Sequence, residues 1–253
     1  MSLPLIKDKL GQKPLVSAEK YIAYLRRNGH QLPELSPRAY LSLAGGLTRK
    51  WVEDQHLSNT RVLSLECHLG KSRSLFWGLD HGAPSMAIVV EELSALGVKE
   101  FICLGIAGSL QNQHQPGSVI LCDAALRDEG TSYHYLSPSR EVSADLNLGT
   151  EVEAALTSAQ LSYVRGTSWT TDSPYRETVQ ELEEFQQQGV LSVEMEAAAL
   201  YAVAAAKGLK AVSVFIVSDV LTSADWQPQF HHRAVGQSYR QVLRCLISTA
   251  PSI

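Results

Sequence analysis

Residues 211–217, Ala-Val-Ser-Val-Phe-Ile-Val, constrain this chain more than any other segment. The run is apolar but for Ser213 and shows no alternation of apolar and polar positions. A strand with one wet face alternates, whereas one covered on both faces does not, and the second case is typical of parallel sheets between layers of helix. The preceding segment fits that reading. Residues 196–207 are alanine-rich and favour a helix, and Gly208 supplies its stop. A helix leading into a doubly covered strand is the unit from which α/β folds are built.

The same texture extends back to Ala39. A short apolar run at 39–44 ends at Gly45-Gly46 and leads into a helix over 47–56. Residues 61–67 and 74–77 read as strands around the turn Gly70-Lys71. Helical spacing of Met86, Val89, Val90 and Leu93 predicts a helix over 84–96, with Pro84 in its first turn and Gly97 closing it. Strands follow at 101–104, 119–122 and 190–193, with helices at 150–160, 177–187 and 233–248. Alternating strands and helices imply parallel pairing and a sheet covered on both sides. Residues 1–38 have a different character: four prolines punctuate them around one helix that Ser17 caps and Gly29 ends. The expected organisation is therefore an N-terminal arm, 1–38, and one domain, 39–253.

Composition removes several classes of function. Twenty-two Lys and Arg against 26 Asp and Glu give a net charge of -4, which disfavours a basic nucleic-acid surface. The four cysteines are too few and scattered for a disulfide framework or a metal site. The histidines lack metal-ligand spacing, and no apolar run is long enough to span a membrane. A cytoplasmic protein without metal or organic cofactor is the expectation.

In open α/β sheets, ligands bind at the carboxyl ends of strands. Several such ends here carry unusual residues. Gly45-Gly46-Leu47-Thr48-Arg49 joins glycines, a helix N-terminus and an arginine, a combination suited to an anion. Residues 78–85, including His81, again join a strand to a helix start. Gly105-Ile-Ala-Gly108-Ser109 is not a dinucleotide fingerprint. Glu194-Met195-Glu196 sets two carboxylates directly after a strand, where a desolvated charge must be paired or solvated. Asp219 follows the most apolar strand, a place where a carboxyl suits general-acid work near neutral pH.

Taken together, the chain resembles the nucleoside phosphorylase family, which includes purine nucleoside phosphorylases, uridine phosphorylases and related nucleosidases. The resemblance rests on Gly82-Ala-Pro-Ser85, Glu91-Glu92-Leu93, Leu96-Gly97-Val98 and Leu104-Gly105-Ile-Ala-Gly108-Ser109. It continues through Arg127-Asp-Glu-Gly-Thr-Ser132 with His134-Tyr135, Val193-Glu-Met-Glu-Ala197 and Val217-Ser-Asp219. It spans residues 39 to the end and implies a three-layer αβα fold with a mixed, mostly parallel central sheet. It implies cleavage of a nucleoside's N-glycosidic bond, with phosphate as acceptor in the phosphorylases and water in the nucleosidases. By the same resemblance Glu196 binds the ribose hydroxyls and Met195 packs on the sugar. Glu194, Tyr175 and His81 lie beside the substrate. Asp219 protonates a purine base as the bond breaks, so a purine-like base is preferred, with a pyrimidine possible because the run from Arg127 to Tyr135 is more like that of the uridine phosphorylases. Gly45 and Arg49 match a phosphate loop, and Arg61 matches an arginine that reaches a neighbouring subunit. The family's homo-oligomers imply a dimer, or a hexamer built from dimers.

Two departures bear on the acceptor. Cys103 stands where the phosphorylases carry an arginine, and Ile106 where they carry a hydroxyl. A thiol cannot supply the paired donors of a guanidinium. The readings are thus a phosphorylase, a hydrolase of the same family, or a catalytically weak nucleoside-binding protein.

Overall fold

Apolar spacing and caps set the elements. In the computed structural model, which describes residues 4–6, 8–223 and 225–248, helix α1 (Ala18–Arg27) starts at Ser17, whose hydroxyl accepts from the Lys20 amide. Strand β1 (Arg38–Ser42) and helix α2 (Gly45–Asp54) follow, then strands β2 (Thr60–Val62), β3 (Leu65–Leu69) and β4 (Arg73–Trp77). Helix α3 (Ala83–Ala95) leads to β5 (Glu100–Ser109), β6 (Val119–Asp128) and β7 (Glu141–Ser143). Helix α4 (Leu146–Ser158), capped by Asp145, precedes β8 (Val164–Thr171). Helix α5 (Val179–Gln187) opens on a reciprocal capping box between Thr178 and Glu181, which satisfies two amides that would otherwise lack partners. Strand β9 (Ser192–Glu194), helix α6 (Ala197–Lys207), strands β10 (Lys210–Leu221) and β11 (Trp226–Pro228), and helix α7 (Arg233–Ser248) complete the described chain.

The strands form one mixed sheet, so the α/β expectation holds. Strands β4, β1, β5 and β10 run parallel, and β6, β8 and β9 form a second parallel set. The two sets meet antiparallel, β6 against β10 and β9 against β5. Because β5 pairs with β10 as well as β9, strands β5, β10, β6, β8 and β9 close into a ring. Apolar clusters cover the sheet on both faces. One gathers Val90 and Leu93 of α3 and Leu200 and Val203 of α6; Ile22 of α1 and Leu35 also belong to it. The other gathers Trp51 of α2, Val152 of α4, and Val235 and Tyr239 of α7. A third, smaller cluster seats Leu182 of α5 against Trp169 and Leu221.

The closed ring explains where strand lengths exceed the sequence expectation. Strand β5 continues through Gly105 and Gly108 to Ser109, and β6 continues past Asp123 to Asp128. Strand β10 runs on through Ser218 and Asp219 to Leu221, with a register shift between Val217 and Asp219. Pairing on both sides holds these segments extended despite glycines and polar residues. The bulge in β10 also re-aims the residue that follows it, a usual role for bulges beside functional sites.

Candidate active site

Gly108 sits at the centre of the candidate site. It pairs with Val193 on one side and with Asp219 on the other. A Cβ at this position would lie 2.6 Å from Leu221 Cδ1, 3.0 Å from Asp219 Oδ2 and 3.2 Å from Val193 Cγ1. Only glycine lets the three strands approach so closely, and the approach draws the β9–α6 junction and the Asp219 carboxyl to the same end of the ring.

Glu194 and Glu196 occupy that junction, and both are buried. Glu194 Oε2 accepts the Glu196 and Ala197 amides at 2.8 and 2.7 Å, and its Oε1 accepts the Thr170 hydroxyl. Burial, with the charge of Glu196 beside it, pushes the Glu194 carboxyl up to about 8. These three donors oppose that rise, and the oxygen that takes both amides caps α6. Glu196 accepts the Gly82 amide on Oε1 at 2.7 Å and the Met195 amide on Oε2 at 3.3 Å. Burial raises its carboxyl too, and the Gly82 amide and the nearby His81 oppose that rise. Gly82 adopts φ 94°, a left-handed conformation that frees its amide to point at Glu196. Of the remaining candidates here, His81 is exposed and Met195 half-buried, its Cε lying 3.9 Å from the point where a Gly82 Cβ would be.

Asp219 is buried across Gly108 from this pair. Ser218 Oγ donates to its Oδ1 at 2.6 Å, and the indole Nε1 of Trp226 donates to its Oδ2 at 2.8 Å. Glu177, half-buried, stands close enough that Asp219 adds to the rise of its carboxyl. Burial is the larger cause, and together with Asp219 and Glu181 it brings Glu177 to about 7. Neither Glu177 nor Trp226 stands out in the sequence. Glu177 precedes a capping box and reads as an ordinary helix-start acid, and nothing local distinguishes Trp226. Tyr175, in the short helical turn just before Glu177, is 98% exposed, so its ring is not buried against the site.

The anion-binding residues are less closely gathered. Gly45 opens α2 beside Gly78, where its Cβ would meet the Gly78 amide nitrogen at 3.5 Å, so the start of α2 lies next to the loop that carries His81 and Gly82. Helix α2 has no side-chain cap, which leaves its first amides available to an anion. Arg49, however, turns to Glu66 of β3, with Nη2 2.5 Å from Oε1. The exposed Arg61 donates from Nη2 to the Ser64 carbonyl at 3.2 Å. Cys103 is buried, and burial with the charges of Glu196 and Glu194 raises its thiol well above the usual range. Cys103 therefore presents a neutral sulfur near the Glu194 and Glu196 carboxyls.

Among the described residues no cluster of three or more His, Cys, Asp and Glu could hold a metal ion, and no helix is long and apolar enough to cross a membrane. The sequence profile described as the Phosphorylase superfamily matches residues 59–248. A guanosine phosphorylase from Halorubrum lacusprofundi is 33% identical over 144 residues, 57% of this chain and 60% of that one. A uridine phosphorylase from Thermococcus kodakarensis is 36% identical over 152 residues, 54% of each chain. The chain thus spans 54% to 60% of the length of these two relatives. Two solved structures share the fold. A uridine phosphorylase from Vibrio fischeri ES114 has TM-score 0.72 at 24% identity, covering 86% of this chain and 95% of that one. An AMP nucleosidase from Bacteroides thetaiotaomicron has TM-score 0.69 at 21% identity, covering 92% and 100%.

Proposed function

This chain belongs to the Phosphorylase superfamily, and from that premise we propose that it cleaves the N-glycosidic bond of a nucleoside, a purine-like base preferred, with phosphate as acceptor. The observation that carries the reading is the pair of buried carboxyl groups on either side of Gly108, Glu196 and Asp219. Heterolysis leaves positive charge on the sugar and an electron pair on the base nitrogen. Glu196 is held by two amides in a buried setting, where a carboxylate stabilises a nearby developing cation more strongly than it does in water. It also offers acceptors to the sugar hydroxyls, with Met195 against the sugar and His81 beside it. Asp219 delivers a proton to the departing base, neutralising the pair of electrons that the broken bond leaves behind. A phosphate oxygen then bonds to the sugar's anomeric carbon and releases free base and pentose 1-phosphate. Glu194 fixes the start of α6, and with it Glu196.

The anion would rest on the open amides at the start of α2, near Gly45, with Arg49 and with Arg61 of a second copy in a homo-oligomer. The phosphorylase names of the two relatives support this acceptor. A second reading, hydrolysis by water, is favoured by a specific observation: Arg49 is engaged by Glu66, and the Cys103 and Ile106 side chains give an anion no charged donor from β5. Each charged hydrogen bond that is missing lowers anion affinity by roughly 1.5–3 kcal/mol.

A panel of purine and pyrimidine nucleosides, incubated with and without phosphate, separates the readings through free base and sugar phosphate. Phosphate-dependent release of a purine with formation of pentose 1-phosphate is the expected outcome. Release indifferent to phosphate selects the hydrolase, and no release from any nucleoside overturns both. In the active case, Asp219→Asn lowers kcat about 10²–10⁴-fold with little change in KM, because the acid acts in the transition state.

A further inference from the structure

Three buried side-chain nitrogen or oxygen atoms among the described residues have no hydrogen-bond partner: Trp51 Nε1, Ser213 Oγ and Arg73 Nη1. The first two are neutral. Arg73 Nη1 belongs to a cation, and a charged donor left without an acceptor costs more than a neutral one. Its surroundings make the deficit specific. Arg73 opens β4, directly opposite Arg38 of β1 in the parallel register, and both guanidinium groups approach the buried Tyr40 hydroxyl. Arg38 is fully answered: it binds Glu100 at 2.6 Å and Glu151 at 2.7 Å. Arg73 forms no ion pair with any carboxylate among the described residues.

Beside Arg73 is a cavity of about 190 Å³ at the β3–β4 turn. His68, Lys71, Ser72 and the Tyr40 ring line it with Arg73, and no acidic side chain does. Lys71 is exposed and also lacks a carboxylate partner among the described residues. His68 Nδ1 donates to the Ser58 carbonyl at 2.9 Å, which leaves Nε2 as the nitrogen not used in that bond. At about 30 Å³ per water, the space holds a tetrahedral oxyanion with a few waters, and it is smaller than the roughly 300 Å³ that an organic ligand of nucleoside size fills.

We propose that the β3–β4 turn is a second oxyanion site, which takes a phosphate-sized anion between Arg73 and Lys71 with Ser72 and His68 at its rim. The Arg73 guanidinium and the Lys71 ammonium supply the positive charge that an oxyanion needs. The site lies at the start of β4, whereas the loop that holds Glu196 follows its end. Four residues of strand, about 13 Å, separate the two. The anion here therefore does not meet the nucleoside, and its binding is independent of whether the chain uses phosphate as an acceptor.

Calorimetric titration of the full chain with inorganic phosphate at low ionic strength tests the site without any turnover, so its result stands apart from that of the nucleoside panel. Arg73→Gln and Lys71→Gln are each expected to weaken one class of phosphate binding about ten- to a hundred-fold, the equivalent of one charged hydrogen bond. Arg49→Gln, at the other end of β4, should leave that class unchanged. Lys71 is exposed, so its variant will fold even if Arg73→Gln does not. Phosphate isotherms that are the same for the parent and Lys71→Gln, or no phosphate binding beyond what Arg49→Gln removes, would overturn the proposal. Sulfate in place of phosphate should bind the same site; failure of sulfate to compete with phosphate there would also count against a general oxyanion pocket.

Discussion

At the scale of single residues, the candidate site is an arrangement of carboxyl groups whose environments differ. Glu194 caps a helix with both oxygens occupied, Glu196 is held by two amides, and Asp219 accepts from a hydroxyl and an indole. Glu177 is the acid in this group with no side-chain hydrogen bond of its own, and burial together with Asp219 brings it to about 7. Near neutral pH it changes charge beside Asp219. Glu177→Gln should therefore remove an inflection near pH 7 from the pH profile of base release, while the profile of the parent chain retains it. Unchanged profiles in stopped assays across that range would show that Glu177 does not communicate with the chemistry. Glu194, Glu196 and Asp219 stand out as candidates in the sequence because each comes shortly after an apolar run. Glu177 does not stand out, because its raised carboxyl comes from burial in the fold and from the charge of Asp219, 42 positions along the chain.

At the scale of elements, the position of Gly108 between β9 and β10 decides the shape of the site. Gly108→Ala places a methyl 2.6 Å from Leu221 Cδ1 and 3.0 Å from Asp219 Oδ2. The strands must part to admit it, at an expected cost of about 1–3 kcal/mol in chemical denaturation. Base release should fall further than stability does, because the Asp219 carboxyl is among the displaced groups. The elements most legible in the sequence were those with helical spacing or unbroken apolar runs, α3, α6 and the first part of β10. Strand β8, Val-Arg-Gly-Thr-Ser-Trp-Thr-Thr, was not legible. Ser168, Thr170 and Thr171 are buried, and Ser168 meets Ser192 while Thr170 meets Glu194, so its apolar signal is weak. The same holds for the ends of β5 and β6, where neighbouring strands, rather than local composition, keep the backbone extended.

At the scale of the whole molecule, the buried acids make stability depend on pH. The folded-state values of about 8 for Glu194 and about 7 for Glu177 lie above the ordinary 4.5. Between about pH 4.5 and 8 the folded chain binds more protons than the unfolded one, so its stability falls as pH rises through that window. Thermal melts taken across the window should show a declining midpoint, and Glu194→Gln should flatten the decline by at least about 1 kcal/mol at its alkaline end. A midpoint that climbs over the same interval would mean that the pair is ionised in the fold. Closure of the ring has a further outcome for how copies of the chain meet. Each of its five strands has a neighbour on both sides, and the outermost strands that remain are β2, β7 and β11, each of three residues. An unpaired edge recruits another chain through its bare amides and carbonyls, and edges this short are poor templates for that. Copies of this protein are therefore disposed to associate through side-chain surfaces rather than by extending one sheet into the next, and the same geometry guards the long apolar strand at 210–221 against runaway aggregation.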